Sequence, residues 1–294
     1  MGGKKLLRSE IVSRFPARYN AYIEVFGGAG WVLFHKPKPK KNQLEIYNDI
    51  DGNLVNLFRM VKERPFGLMK ELNYLNINSR EEFFRLRQLL QKQDFTKHYL
   101  QSELTIASES MTEREFRETR QIMMRDAADH EIRRAAALFQ VIRYSYGGST
   151  TSYGCQSCNI AGFGWQNWRT HHRLRYTTLE NQSYEVLIPH YDRIDAFFYC
   201  DPPYVAAEGF YESPFDRADH EQLADVLHRI KGRFLLSYND HPLVRELYAD
   251  CCMISLDRLD SLAQAKNPGQ MYKELLVANY DLHETAAEAQ LSLF

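Results

Sequence analysis

Residues 197–204 read FFYCDPPY. Within this stretch Asp201, Pro202, Pro203 and Tyr204 have the side chains and backbone best suited to chemistry. An ionised carboxylate accepts hydrogen bonds and donates none. The carbonyl of Pro202 is a second acceptor, and two successive prolines stiffen the backbone that carries both. Two acceptors aimed at one point suit an amino group that must be held through its N–H bonds. A planar exocyclic amine on a base is a poor nucleophile, because its lone pair is delocalised into the ring. Acceptors that grip its hydrogens favour the pyramidal form, which stabilises the transition state over the ground state. Tyr204 adds a flat face for stacking. The plain alternative is a proline turn that ends a strand beside an exposed tyrosine.

A second group lies near the start. Residues 21–26 (AYIEVF) run into Gly27-Gly28-Ala29-Gly30. A strand followed by a glycine turn lets backbone approach a ligand closely. Asp49 ends the next apolar run, close to the ~20-residue spacing at which an acid meets a ribose in dinucleotide folds. A tight turn and a helix-capping aspartate fit these two features equally well.

The elements that must position these groups can be read from periodicity and punctuation. Strands are predicted over 21–26, 43–48, 196–200, 234–238, 251–256 and 274–280. Leu54, Leu57, Phe58 and Val61 give a helix that stops near Pro65. Ser79 with Glu82 and Thr112 with Glu115 are capping-box patterns that open two more. Further helices are expected over 130–145, around 223–230 before Gly232, and over 242–249. No core strand is expected between about 66 and 146. Residues 147–164 are rich in glycine and small polar residues and suit a loop or hairpin. Strands and helices alternating around a helical middle point to an α/β core with an insertion.

Composition sets limits on function. The chain has 294 residues, 44% hydrophobic and 26% charged, and a formal net charge of -1. Any binding to nucleic acid must therefore use local basic patches. Five cysteines, an odd number, without a secretory signal suggest a reducing, cytoplasmic location. No apolar run reaches the roughly 18–20 residues of a membrane span. Cys155 and Cys158 are spaced like zinc ligands, with His171 further on. The next histidine is adjacent rather than three to five residues later, so thiols in a polar loop are the better reading and no metal is expected. Cys200 lies on the strand before Asp201 and is expected to be buried and inert.

Taken together, these motifs resemble the Dam-like (D12 class) DNA adenine-N6 methyltransferases. The residues that carry the resemblance are Asp201–Tyr204, the acid-x-Phe-x-Gly-x-Gly of Glu24, Phe26, Gly28 and Gly30, the Gly2-Gly3-Lys4 start, and Asp49 in YNDID. YNDIDGNLVNLFR, LLSYND and KELLVANY are also similar. Val25 departs from the proline common at that position.

The resemblance implies a Rossmann-like methyltransferase core over 1–64 and 165–294, with a mostly helical target-recognition insert over 65–164. It implies S-adenosylmethionine as methyl donor. Gly3 and Lys4 would lie at its carboxylate end, Glu24, Phe26, Gly28 and Gly30 along its methionine part, and Asp49 on its ribose. It implies double-stranded DNA as partner, with a flipped adenine whose amine is held by Asp201 and the Pro202 carbonyl and whose ring stacks on Tyr204. Tyr211 and Phe215 would line that pocket, although core packing suits Phe215 equally. Tyr153, Gln156 and Asn159 are candidates for base edges, and Arg169, Arg173 and Arg175 for phosphates. Lys36, Lys38, Lys40 and Lys41 form a further basic stretch, either a phosphate contact or a solvated loop. A monomer is expected, with a dimer as the alternative. Rival readings are cytosine-N4 methylation, modification of RNA or of a glutamine side chain, and a DNA-binding regulator with a dead pocket.

Overall fold

Each of the six foreseen strands forms, and a seventh joins them. The computed structural model describes residues 4–74, 79–92, 98–146, 150–154, 163–205, 215–259 and 271–282. The strands are β1 (Ala21–Glu24), β2 (Leu44–Asn48), β3 (Thr178–Glu180), β4 (Ala196–Cys200), β5 (Arg233–Asn239), β6 (Cys252–Leu259) and β7 (Met271–Ala278). They form one sheet in the order β3-β2-β1-β4-β5-β7-β6. Neighbours from β3 through β5 are parallel, and β7 is antiparallel to both β5 and β6. This mixed α/β sheet is consistent with a methyltransferase fold. The strand order reverses between β1 and β4, and open α/β sheets bind ligands at the carboxyl ends beside such a point.

The chain divides into two compact units, one of residues Met1–Ile50 with Tyr176–Phe294 and one of Asp51–Arg175. The first holds the sheet and the helices α1 (Lys4–Ser13), α2 (Trp31–His35), α9 (Tyr184–Tyr191), α10 (Arg217–His228) and α11 (Pro242–Leu247). Side chains alternate across a strand, so register decides what each face buries. Ala21, Ile23, Ile46, Ala196, Phe198, Cys200, Leu236, Leu275 and Val277 share one face. They form an apolar core with Leu187 and Ile188 of α9, Leu223 and Leu227 of α10, and Val244 of α11. The opposite face carries Tyr22 and Glu24, Glu45 and Tyr47, Phe197 and Tyr199, Ser237, and Glu274 and Leu276, by the same pairings. Phe15, which follows α1, packs its ring on Tyr22 and Phe197 there.

The second unit is helical throughout its described elements: α3 (Gly52–Glu63), α4 (Pro65–Tyr74), α5 (Arg80–Lys92), α6 (His98–Ser110), α7 (Glu113–Tyr144) and α8 (Phe163–Leu174). Leu54, Leu57, Phe58 and Val61 of α3 are buried. So are Ile132, Ala135, Leu138 and Val141 of α7. Pro65 opens α4 as well as following α3. At the first helical position its missing N–H would have had no partner in any case. The capping box of Thr112 and Glu115 forms. The helix it starts runs unbroken to Tyr144, in place of separate helices after 112 and over 130–145, because no glycine or proline interrupts residues 113–144. Positions 64/65 and 164/165 fall at the α3–α4 junction and inside α8. Among the described residues no helix is long and apolar enough to cross a membrane.

Candidate active site

Asp201 follows directly on β4. Continuing the strand's alternation from Phe197 and Tyr199 brings it to the polar face. There its Oδ1 lies 3.1 Å from Lys4 Nζ. Lys4 opens α1 on the same stripe as the buried Leu7 and Ile11, and is itself buried. Its ammonium also donates to the Tyr204 hydroxyl at 2.5 Å and pairs with Glu274 of β7. Glu274 Oε1 further accepts from Tyr204 at 2.6 Å and from Ser237 at 2.8 Å. Lys4 Nζ sits 4.9 Å from the centre of the Tyr204 ring. Past the prolines, Asn239 grips Val205 on both sides: Oδ1 accepts from Val205 N and Nδ2 donates to Val205 O. The tetrapeptide is thus anchored at its acid, at its tyrosine and at the residue after.

The glycine turn lies one strand away. Val25 N donates to Tyr199 O at 2.9 Å, and Gly27 N to Asn48 O at 2.8 Å. Gly28 and Gly30 have φ of 50° and 66°, in the left-handed region that disfavours a side chain. Gly28 N donates to Asp49 Oδ2 at 2.8 Å, and Tyr47 OH donates to Gly28 O at 2.7 Å. A Cβ built on Gly28 would meet nothing within 4 Å, so the turn presents bare backbone to open space. These residues fit a nucleoside-bearing ligand such as S-adenosylmethionine: an open glycine turn with an acid tied to it, at the carboxyl ends of β1 and β2. Phe26 adds a ring beside Tyr184 and Phe215, with centroids 5.7 and 6.0 Å away. Glu24 is buried and accepts from Tyr22 OH at 2.6 Å. Burial pushes its carboxyl up to about 8, against the Tyr22 hydrogen bond and the Lys36 charge.

The remaining candidates differ in their surroundings. Lys36 is buried and paired with Glu45, with its ammonium over the Tyr22 ring, so it is a core cation and not a phosphate contact. Lys38, Lys40 and Lys41 remain exposed. Lys4 meets Asp201, Tyr204 and Glu274, a partner set that the resemblance did not specify. Cys200 is buried, and burial followed by the Asp201 charge raises its thiol far above the usual range. That fits an inert strand residue.

In the helical unit, Tyr146 N donates to Ser152 O and Gly154 N to Tyr144 O. This is a hairpin-like pairing close to the expected loop. Tyr153 packs 5.7 Å from the Phe83 ring, with the Arg80 guanidinium 5.3 Å from its own. Arg169 and Arg175 are exposed, whereas Arg173 is buried, which corrects its expected place on phosphates. Gly3, Gln156, Asn159, Tyr211 and the Cys155/Cys158 pair lie outside the described residues. His171 of α8 binds Lys62 O through Nδ1 at 2.8 Å.

Sequence reasoning missed four contributors. Glu274 and Ser237 looked like ordinary strand residues. Asn48 Nδ2 donates to Val25 O and Gln182 O and its Oδ1 accepts from Gln182 N, which locks the ends of β1, β2 and β3 together. Asn181 donates to Asp49 O. The signal for Glu274 was present, as an acid inside the apolar run ELLVA, where an unpaired charge would be costly.

The profile of the D12 class N6 adenine-specific DNA methyltransferases matches residues 1–262. The chain belongs to that family, whose members are S-adenosylmethionine-dependent enzymes that methylate DNA adenine. Among curated proteins it is 23% identical to the type II methyltransferase M1.LlaDCHI of Lactococcus lactis subsp. cremoris, over 95% of this chain and 93% of that one. It is 24% identical to a DNA adenine methylase of Haemophilus influenzae, over 94% of this chain and 90% of that one.

Proposed function

We propose that Asp201, the Pro202 carbonyl and Tyr204 hold the target adenine, and that Glu24, Phe26, Gly28, Gly30 and Asp49 hold S-adenosylmethionine. The observation that carries this reading is the ion pair of Asp201 with Lys4 at the carboxyl end of β4, beside the open turn at Gly28. When bound, S-adenosylmethionine supplies an electrophilic methyl group. Asp201, as an ion-paired carboxylate, accepts an N–H of the amine, and the Pro202 carbonyl accepts the other. The nitrogen is thereby drawn toward the pyramidal form in which its lone pair is available. Pro203 keeps the two acceptors on a stiff backbone. Tyr204, with its hydroxyl tied to Glu274 and Lys4, offers its ring for stacking. Extruding a base from a duplex costs a few kcal/mol, and stacking on an aromatic ring returns about 1–3 kcal/mol.

The helical unit is the target-recognition part in this reading. Its hairpin-like segment around 144–154 would enter a groove, and exposed Arg169 and Arg175 would meet phosphates. Each arginine removed should lower the salt dependence of DNA binding by about one phosphate contact.

Expression in a host without adenine methylation, followed by nucleoside mass spectrometry of its DNA, tests the reading. N6-methyladenine should accumulate with the native chain and not with Asp201→Ala. N4-methylcytosine in its place would change the base, and no methylated base from folded protein would overturn the proposal.

A further inference from the structure

At the end of the sheet away from Asp201, where β5 and β7 meet the start of β6, a cavity of about 440 Å³ is lined by His228, Asp250, Cys251 and Cys252, among others. His228 closes α10, and Asp250 and Cys251 lie on the turn into β6. Three atoms converge here: His228 Nε2 and Asp250 Oδ1 are 3.0 Å apart, Cys251 Sγ and Nε2 4.0 Å, and Sγ and Oδ1 3.7 Å. We propose that His228, Asp250 and Cys251 form a binding site for a thiophilic divalent cation, with Zn²⁺ the best match.

The geometry carries the proposal. Tetrahedral Zn²⁺, with bonds of about 2.0–2.1 Å to nitrogen or oxygen and 2.3 Å to sulfur, separates its N and O ligands by about 3.3 Å and holds sulfur about 3.6 Å from either. The largest adjustment needed from the distances above is about 0.4 Å. The ligand types are one imidazole, one thiolate and one carboxylate, a set suited to zinc and poorly suited to magnesium or calcium.

The imidazole is already oriented for the role. His228 Nδ1 lies 2.7 Å from Ala224 O, and the ring stacks 5.6 Å from Tyr248. A protonated Nδ1 held by a backbone carbonyl turns Nε2 into the ligating atom, as metal-binding histidines require. Exposed Asp250 gives a route in from solvent. On binding, the Cys251 thiol proton passes to solvent and the His228 Nε2 lone pair is donated to the cation, with no change of oxidation state. Three protein ligands leave a fourth position for water.

Cys252, the next residue, is not among the three converging atoms; its Sγ accepts from Leu282 N at 3.4 Å. The site therefore uses one of two adjacent thiols.

The test is Zn²⁺ titration of chelator-stripped full-length protein against a chromogenic chelator, with Co²⁺ absorption as a second readout. One Zn²⁺ per chain, a thiolate-to-Co²⁺ band, and weakening of about tenfold or more in both Cys251→Ser and His228→Gln are expected. Asp250→Asn is exposed, so it keeps the test open should either of those variants fail to fold, and it too should weaken binding. The Cys155→Ser/Cys158→Ser double variant should bind as the native chain does. Absence of stoichiometric binding, unchanged affinity in Cys251→Ser, or loss only in the double variant would overturn the site.

Discussion

On one face of the sheet Ile23, Phe198, Leu236 and Val277 meet Leu187, Leu223 and Val244 in an apolar cluster. On the other, Glu24, Glu45 and Glu274 are each at most 1% exposed, and Lys4 and Lys36 are buried among them. Both faces come from the same strands, one residue out of phase. The apolar face stabilises by removing hydrocarbon from water, which has no directional demand. The polar face must satisfy each charge with a partner, because an isolated buried charge is far more costly than a buried methylene. Such a cluster contributes little net stability, but it fixes atoms in place. Asp201 and Tyr204 are held by that cluster. The proposed site therefore sits where the fold has given up apolar burial for position.

Substitutions on the two faces should separate these contributions. Glu274→Gln keeps the shape and removes the charge that organises Lys4 and Tyr204. Methyl transfer is expected to fall about 10²-fold, the scale of a misplacement near 1 Å, with S-adenosylmethionine affinity changed much less; single-turnover kinetics beside calorimetric binding would read both. Phe198→Ala, on the opposite face, should cost about 3–5 kcal/mol of stability while the folded fraction keeps its rate within a few-fold, as urea denaturation and activity below the transition would show. An equal loss of rate in both variants would erase the distinction.

A pH series sharpens it further. The folded chain holds the proton of Glu24 up to about pH 8, while the unfolded chain sheds it near the ordinary value of 4.5. The folded state then binds more protons between these values, so stability falls as pH rises from about 4.5 to about 8 and levels above. Glu24→Gln should flatten that slope in denaturation curves at pH 5.5 and 8. The smallest effect is expected at Cys200→Ala: a modest loss of stability from the apolar face and an unchanged methylation rate. A large rate loss there would assign the thiol a role its burial argues against.

Much of this was legible in the sequence. Asp-Pro-Pro-Tyr after an apolar run, and a glycine turn before an aspartate, mark the two halves of the candidate site, because each motif is contiguous and backbone-dominated. The strands of the core were legible for a similar reason: short apolar runs bounded by glycine, proline and aspartate. β3, at three residues, was too short to show a period. Lys36 read as part of a basic run, either a phosphate contact or a solvated loop, since nothing local indicates that Glu45 and the Tyr22 ring will enclose it. Lys4 lay on an i, i+3, i+7 stripe with Leu7 and Ile11, but its partners are 197 residues or more away in sequence, and Glu274 was hidden among leucines. Long-range ion pairs leave almost no local trace, and here they supply the scaffold of the site.

The central claim is that Asp201 acts on the amine and not on the fold or the donor. It is tested most directly by measuring S-adenosylmethionine affinity and single-turnover methylation of adenine-containing duplex DNA for Asp201→Ala in parallel. The expected result is affinity within about threefold of the native chain and a rate lower by 10²–10³-fold or more, the scale on which a single preorganised hydrogen-bonding group contributes. A native rate, or a loss explained entirely by failure to bind S-adenosylmethionine, would contradict it.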